Sequence, residues 1–224
     1  VEGRAGRWGM TPGTVVLVTT MVDDSTRLWT GTTEGSFTGR DTYPDRFGQP
    51  VVVDGVVAAA REGLVWWGTP GAMQEHTLPD AWTMDTVDRY KGSVVGLVDG
   101  VPYVTQIAEG EQDYDSRIER VGYTWTGSAF VGESIYVHWY MGGNADRGSM
   151  AELPGGGVVA LVFDEWCNNY WEGEDIRCRW LVHDGAGWQS TEQHHMCEPV
   201  GGLARHGDPD AGRDRRDGLA VDAH

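Results

Sequence analysis

Short runs of β-branched and aromatic residues, broken by Gly, Pro, Asp or Asn, recur along the whole chain, and helical periodicity is scarce. The pattern predicts strands over residues 14–21, 26–30, 49–53, 56–60, 64–68, 93–98, 102–108, 116–125, 134–141, 157–163, 175–183 and 188–193. Val15-Val16-Leu17-Val18 and Val158-Val159-Ala160-Leu161-Val162 are continuously apolar rather than alternating, which predicts sheets covered on both faces. Residues 54–61 form the one stretch with helical potential, at a length marginal for a helix. The expectation is an all-β protein.

Internal similarity refines that expectation. Val94-Val95-Gly96-Leu97-Val98 is echoed by Val158-Val159-Ala160-Leu161-Val162, and Glu109-Gly110-Glu111 by Glu172-Gly173-Glu174. In the same order, Arg117-Ile118-Glu119-Arg120 is answered by Ile176-Arg177-Cys178-Arg179, and Gly127-Ser128-Ala129-Phe130 by Gly185-Ala186-Gly187-Trp188. Weaker copies begin at Val15 and Val56. A repeated all-β unit with a period in the tens of residues predicts a propeller-like array of small antiparallel sheets, each unable to bury its faces alone. A β-sandwich is the alternative, because short strands at regular spacing do not choose between stacked and radial sheets.

The turns His183-Asp184-Gly185-Ala186-Gly187-Trp188 and Thr124-Trp125-Thr126-Gly127-Ser128-Ala129-Phe130 resemble the Asp-box turn, Ser-x-Asp-x-Gly-x-x-Trp, of sialidase-like (BNR) propeller repeats. The Asp is displaced in the first and absent from the second. The resemblance spans residues 93–193 and extends to 14–70 by analogy. It implies a propeller and a role at glycans. The Arg-Ile-Pro signature of that family is missing, since Arg117-Ile118 continues with Glu119, so the resemblance does not carry the sialidase mechanism.

Composition narrows the classes further. There are 34 acids against 17 bases, a formal charge of −17, and Lys91 is the only lysine; such a charge repels phosphate backbones, so no nucleic-acid partner is expected. Hydrophobic residues make up 40% and there are 11 Trp, too apolar for a disordered chain, yet no apolar run is long enough for a membrane-spanning helix. Residues 1–198 read as a β-rich domain and 199–224, rich in Gly, Asp and Arg, as a polar, mobile tail. No secretory apolar region stands near the start, which suits either a chain exported by no such route or a mature or partial one.

Three constellations carry candidate chemistry. Glu109, Glu111, Asp113 and Asp115 alternate, so in an extended segment their carboxylates project to one side, as oxygen ligands of Ca²⁺ do; a solvated hairpin tip is the competing reading. Cys167, Cys178 and Cys197 with His195 have the donor types of a Cys₃His zinc site but lack a close Cys-x₂-Cys pair. A Cys167–Cys178 disulfide across a hairpin and three plain thiols are the alternatives. In residues 135–141, alternation puts Tyr136, His138 and Tyr140 on one face, an aromatic surface with polar tips suited to sugar rings or to packing between sheets. Trp66 and Trp67 point oppositely, one toward a core and the other toward a surface platform or an interface. No nucleophile elbow, phosphate loop, dinucleotide fingerprint or HExxH helix appears.

Together these features predict a secreted or surface-displayed protein that binds a glycan or another surface polymer. The alternatives are a glycoside hydrolase on the same scaffold, with two acids in one pocket, and a virion or tail component that forms a homo-oligomer or larger assembly through exposed aromatics.

Overall fold

A computed structural model describes residues 3–11, 14–139, 148–169, 173–190 and 194–195. The protein is all-β, built from four small antiparallel sheets that follow one another along the chain. Sheet 1 contains β1 (Gly3–Thr11), β2 (Thr14–Met21), β3 (Thr26–Gly31) and β4 (Phe37–Tyr43). Sheet 2 contains β5 (Val51–Val53), β6 (Val56–Arg61), β7 (Leu64–Thr69) and β8 (Ala72–Thr77). Sheet 3 contains β9 (Thr86–Val98), β10 (Val101–Gln112), β11 (Asp115–Trp125) and β12 (Phe130–Trp139). Sheet 4 contains β13 (Gly148–Glu152), β14 (Val158–Asn169), β15 (Gly173–His183) and β16 (Trp188–Ser190), with β17 (His194–His195) also paired to β15. Each is a meander in which sequence neighbours pair.

The predicted helix over 54–61 is not formed. Asp54 and Gly55 both take positive φ, 49° and 80°, and join β5 to β6 as a two-residue hairpin. The hydrophobic run that follows is buried on both sides: Val57 and Ala59 pack toward sheet 1, Ala58 and Ala60 toward sheet 3. Two-sided burial makes a strand continuously apolar, which hides its period of two and mimics a short helix.

The sheets pack face to face in chain order. Val16, Val18 and Leu28 of sheet 1 meet Val57, Ala59 and Trp66 of sheet 2, with Tyr43 and Phe47 closing the cluster. Ala58, Ala60 and Val65 of sheet 2 meet Val95, Leu97, Val104, Val121 and Tyr123 of sheet 3. Val94 and Val98 on the other side of sheet 3 meet Val158, Ala160, Val162 and Leu181 of sheet 4. The small residues of β6 leave room for Trp66 and Trp67 on its neighbour, and Gly96 and Gly122 admit Met150 and Trp188 of sheet 4 against the backbone of sheet 3.

Among the described residues, two-sided coverage is seen in sheets 2 and 3. In sheets 1 and 4 the apolar runs alternate in burial: Val15 and Leu17, like Val159 and Leu161, remain half-buried on the outer side. First strands also meet in succession, β1 with β5, β5 with β9, and β9 with β13. A cavity of about 50 Å³ lies where the β5–β9 and β9–β13 seams adjoin, lined by Pro50, Val51, Val94, Val95, Ser149 and Met150.

The internal repeat is real in its second half and shifted in its first. Both Asp-box-like turns join the third and fourth strands of their sheets, with Trp125 paired to Phe130 and His183 to Trp188. By contrast, residues 94–98 lie in the first strand of sheet 3 and residues 158–162 in the second strand of sheet 4. These two segments are not structural equivalents; they touch each other across one seam. Among the described residues no helix is long and apolar enough to cross a membrane.

Candidate functional site

Alternation along β7 separates the two adjacent tryptophans. Trp66 is core, stacked on Phe47 at 5.6 Å between ring centroids and tilted against Tyr43 at 5.8 Å. Trp67 enters the opposite seam, where its indole N–H donates to the carbonyl of Gly100 at 2.9 Å. There it meets His76 of β8 at 5.3 Å and Trp125 of β11 at 5.5 Å. His76 and Trp125 lie edge to face at 5.0 Å, and Phe130 of β12 completes the group 5.1 Å from Trp125. Trp67, His76 and Trp125 are half-buried, whereas Phe130 is buried. The cluster opens beside the exposed turn at residues 126–129, which Thr126 ties off by donating its hydroxyl to the carbonyl of Ala129 at 2.8 Å. Rings held by strands on both sides of a seam, with one side open, form a pre-ordered apolar platform that includes an imidazole ring.

The second aromatic pair occupies the seam between sheets 3 and 4. Tyr136 and His138, two apart on β12, stack at 5.4 Å with planes 17° apart. Arg120, fully buried on the neighbouring strand β11, donates its Nε–H to the Tyr136 hydroxyl at 2.9 Å and its Nη1 to the Thr105 hydroxyl at 3.2 Å. Arg179 arrives from sheet 4 and sets its guanidinium 4.4 Å from the centre of the Tyr136 ring. Arg120 and Arg179 thus approach the same tyrosine from opposite sheets. Counted from the matched turns, they are one residue out of step, and one residue reverses the face of a strand. With its hydroxyl and one ring face engaged, Tyr136 joins two sheets here, and the sugar-binding face expected of it is given over to packing. Tyr140 lies outside the described residues.

The four alternating acids are not gathered. Glu109 is half-buried against Lys91, whose Nζ lies 2.5 Å from Oε2, with Arg89 at 3.8 Å. Asp115 pairs with Arg117 at 3.4 Å. Asp113 sits in the β10–β11 turn, where its backbone N–H donates to Asp85 at 2.8 Å. Glu111 is exposed. Among the described residues no group of three or more His, Cys, Asp or Glu side chains is placed to hold a metal ion. The β14–β15 register sets Cys167 opposite Asp175 and Cys178 opposite Phe163. The two cysteines are therefore not cross-strand partners. Three residues of offset is roughly 10 Å along a strand, beyond the reach of a disulfide. His195 pairs with Arg177, beside Cys178, and Cys197 lies outside the described residues.

Two acids matter in a way that the sequence pattern does not reveal. Glu119 is wholly buried, and its carboxylate accepts from the Thr83 N–H at 2.8 and 3.0 Å, the Thr83 hydroxyl at 2.9 Å and the Met84 N–H at 3.1 Å. It fixes the connection between sheets 2 and 3. Glu133, exposed on β12, ties sheet 3 to sheet 4 by accepting the Trp188 N–H at 2.6 Å. His76, Arg120, Glu119 and Glu133 were not singled out individually because each is a lone polar residue in a strand. Of this cluster, Trp67 and the turn bracketed by Trp125 and Phe130 carried a sequence signal. No family model matches this chain, and no curated protein matches it.

Proposed function

We propose that the protein is a propeller-like binding module, displayed at a surface or secreted, that holds a glycan or comparable polymer at the aromatic cluster of Trp67, His76 and Trp125. The observation that carries this reading is the convergence of three half-buried rings from three strands, with centroids 5.0 to 5.5 Å apart, beside an exposed turn. Such rings offer apolar faces to sugar C–H groups while neighbouring polar side chains meet hydroxyls. The radial arrangement is supported by the successive meeting of first strands. The cavity where they converge, at about 50 Å³, is far smaller than a pocket for a sugar ring, so the reading puts the ligand at the seam's outer opening.

The test is titration of neutral, acidic and amino polysaccharides while following Trp fluorescence. At least one class is expected to perturb the emission, and Trp125→Ala is expected to weaken that binding about tenfold, the worth of one well-placed ring contact. Trp29→Phe, on sheet 1, serves as the control and should bind as the parent does. A folded protein that responds to no polysaccharide in the panel removes the glycan reading.

A further inference from the structure

Successive hairpins of a meander turn at opposite ends of its sheet, and contacts across the seams hold the sheets in step. At one end the Trp67 indole N–H reaches Gly100, where a side chain would touch Val56 beside the Asp54-Gly55 turn. At the other end the Arg61 guanidinium lies 5.5 Å from the centre of the Tyr43 ring, and the Arg61 carbonyl accepts from Gln106 Nε2 at 2.6 Å. The turns that join first to second and third to fourth strands therefore share the end at which the aromatic platform opens. Among the described residues these turns carry Glu34, Asp54, Asp99 and Asp184, all exposed, and no Arg or Lys. The ion pairs Arg27–Asp23, Arg61–Asp45, Lys91–Glu109 and Arg117–Asp115 all stand toward the opposite end. Charge is thus sorted along the strand direction, with the bases paired at one end and unpaired acids at the other.

We propose that the platform of Trp67, His76 and Trp125 takes an amino polysaccharide, a sugar chain bearing ammonium groups, in preference to a neutral or acidic one. This preference rests on the glycan reading above and adds the charge of the ligand to it. Asp99 directly precedes the residue whose carbonyl accepts the Trp67 N–H, and the turn of Asp54 lies beside it. Arg40 stands midway along β4 of sheet 1, with sheet 2 between it and the platform. Acids of one sign with no base among them raise the local concentration of cations and repel carboxylate or sulfate groups. Tryptophan faces also attract ammonium groups while they pack on sugar C–H groups. A cationic sugar therefore uses both the rings and the carboxylates, whereas a neutral sugar uses the rings alone.

The probes are a glucosamine oligomer, the same oligomer N-acetylated, a uronate oligomer and oligolysine, of equal length, titrated at low salt on the full chain while Trp fluorescence is followed. The glucosamine oligomer is expected to bind about tenfold more tightly than its acetylated counterpart, with the gap closing as salt rises, and the uronate more weakly than either. Asp54→Asn with Asp99→Asn keeps residues suited to these left-handed turns; it should remove most of the gap and leave binding of the acetylated oligomer unchanged. Glu62→Gln with Glu111→Gln removes the same charge from exposed positions toward the opposite end and should leave the gap intact. Equal affinity for the two glucosamine oligomers, or a uronate that binds as tightly, overturns the preference and leaves the glycan reading standing. A gap that shrinks alike in both variants reports net charge alone and also overturns it. Oligolysine that binds as tightly through Asp54 and Asp99 replaces the sugar with a basic peptide. If no sugar perturbs the emission, both readings fall. Should a variant fail to fold, the wild type decides: the gap must vanish once the amine loses its proton, and a gap that persists overturns the proposal.

Discussion

Three two-residue hairpins show how much rests on single positions. Asp54-Gly55, Asp99-Gly100 and Asp113-Tyr114 all turn with both central residues at positive φ, at 49° and 80°, 50° and 75°, and 53° and 65°. This is the turn whose twist matches that of the flanking strands, and it favours Gly at its second centre. The third turn has tyrosine there, 99% exposed, with no packing to offset the left-handed backbone. Tyr114→Gly is therefore expected to raise the unfolding free energy by about 1 kcal/mol, read from the urea midpoint. A loss of stability would mean that the ring has a partner on its own chain.

Tyr123 is the opposite case, a buried phenol whose pKa is raised well above its usual value by burial first, then by the negative charges of Asp80, Tyr90 and Glu119. Below the ordinary tyrosine pKa of about 10 both states keep the proton. Above it the unfolded chain ionises freely and the folded one resists, so stability falls as pH rises. Tyr123→Phe should flatten that alkaline loss, and phenolate absorbance should report one tyrosine that ionises only on unfolding.

At the level of strands, each of the twelve predicted segments overlaps a strand among the described residues, and two of the misses share a cause. β4 and β8 lie at sheet margins and are almost wholly exposed. A strand without a buried face has no alternation to detect. The helix expected at 54–61 failed for the complementary reason, burial on both faces. The connection between sheets 2 and 3 has no regular structure over residues 78–85 and is held by the Glu119 carboxylate. Removing that carboxylate orphans two backbone donors and a hydroxyl in a buried setting. Glu119→Ala is expected to cost about 3 kcal/mol or more and to expose the connection to limited proteolysis, with Glu119→Gln intermediate. An unchanged cleavage pattern would mean that apolar packing of Leu78 and Met84 alone secures it.

For the molecule as a whole, composition and punctuation were enough to reach an all-β protein of small repeated sheets. They were not enough to align the repeat, because Val-rich first and second strands look alike once both are buried. The site was legible only in part. Trp67 and the turn around Trp125 could be read as aromatic features, but their meeting with His76 depends on strands far apart in sequence, and no local pattern encodes that distance. Tyr136 could be read either as part of a sugar-binding face or as a seam aromatic; its buried partner Arg120 carried no such signal, since a lone arginine in a strand reads as solvated.

The exposed outer strands have one further consequence. β4 carries Arg40 and Asp41 on the rim of sheet 1, and β8 carries Gln74 and Glu75 on the rim of sheet 2. Every such rim ends in unpaired backbone groups that invite another chain to add a strand, and charge there makes the invitation unfavourable. Trp66, Trp67, Trp125 and Trp188 meanwhile stand within seams, so at β4 and β8 amyloid-type templating meets charged, inhospitable edges rather than these rings.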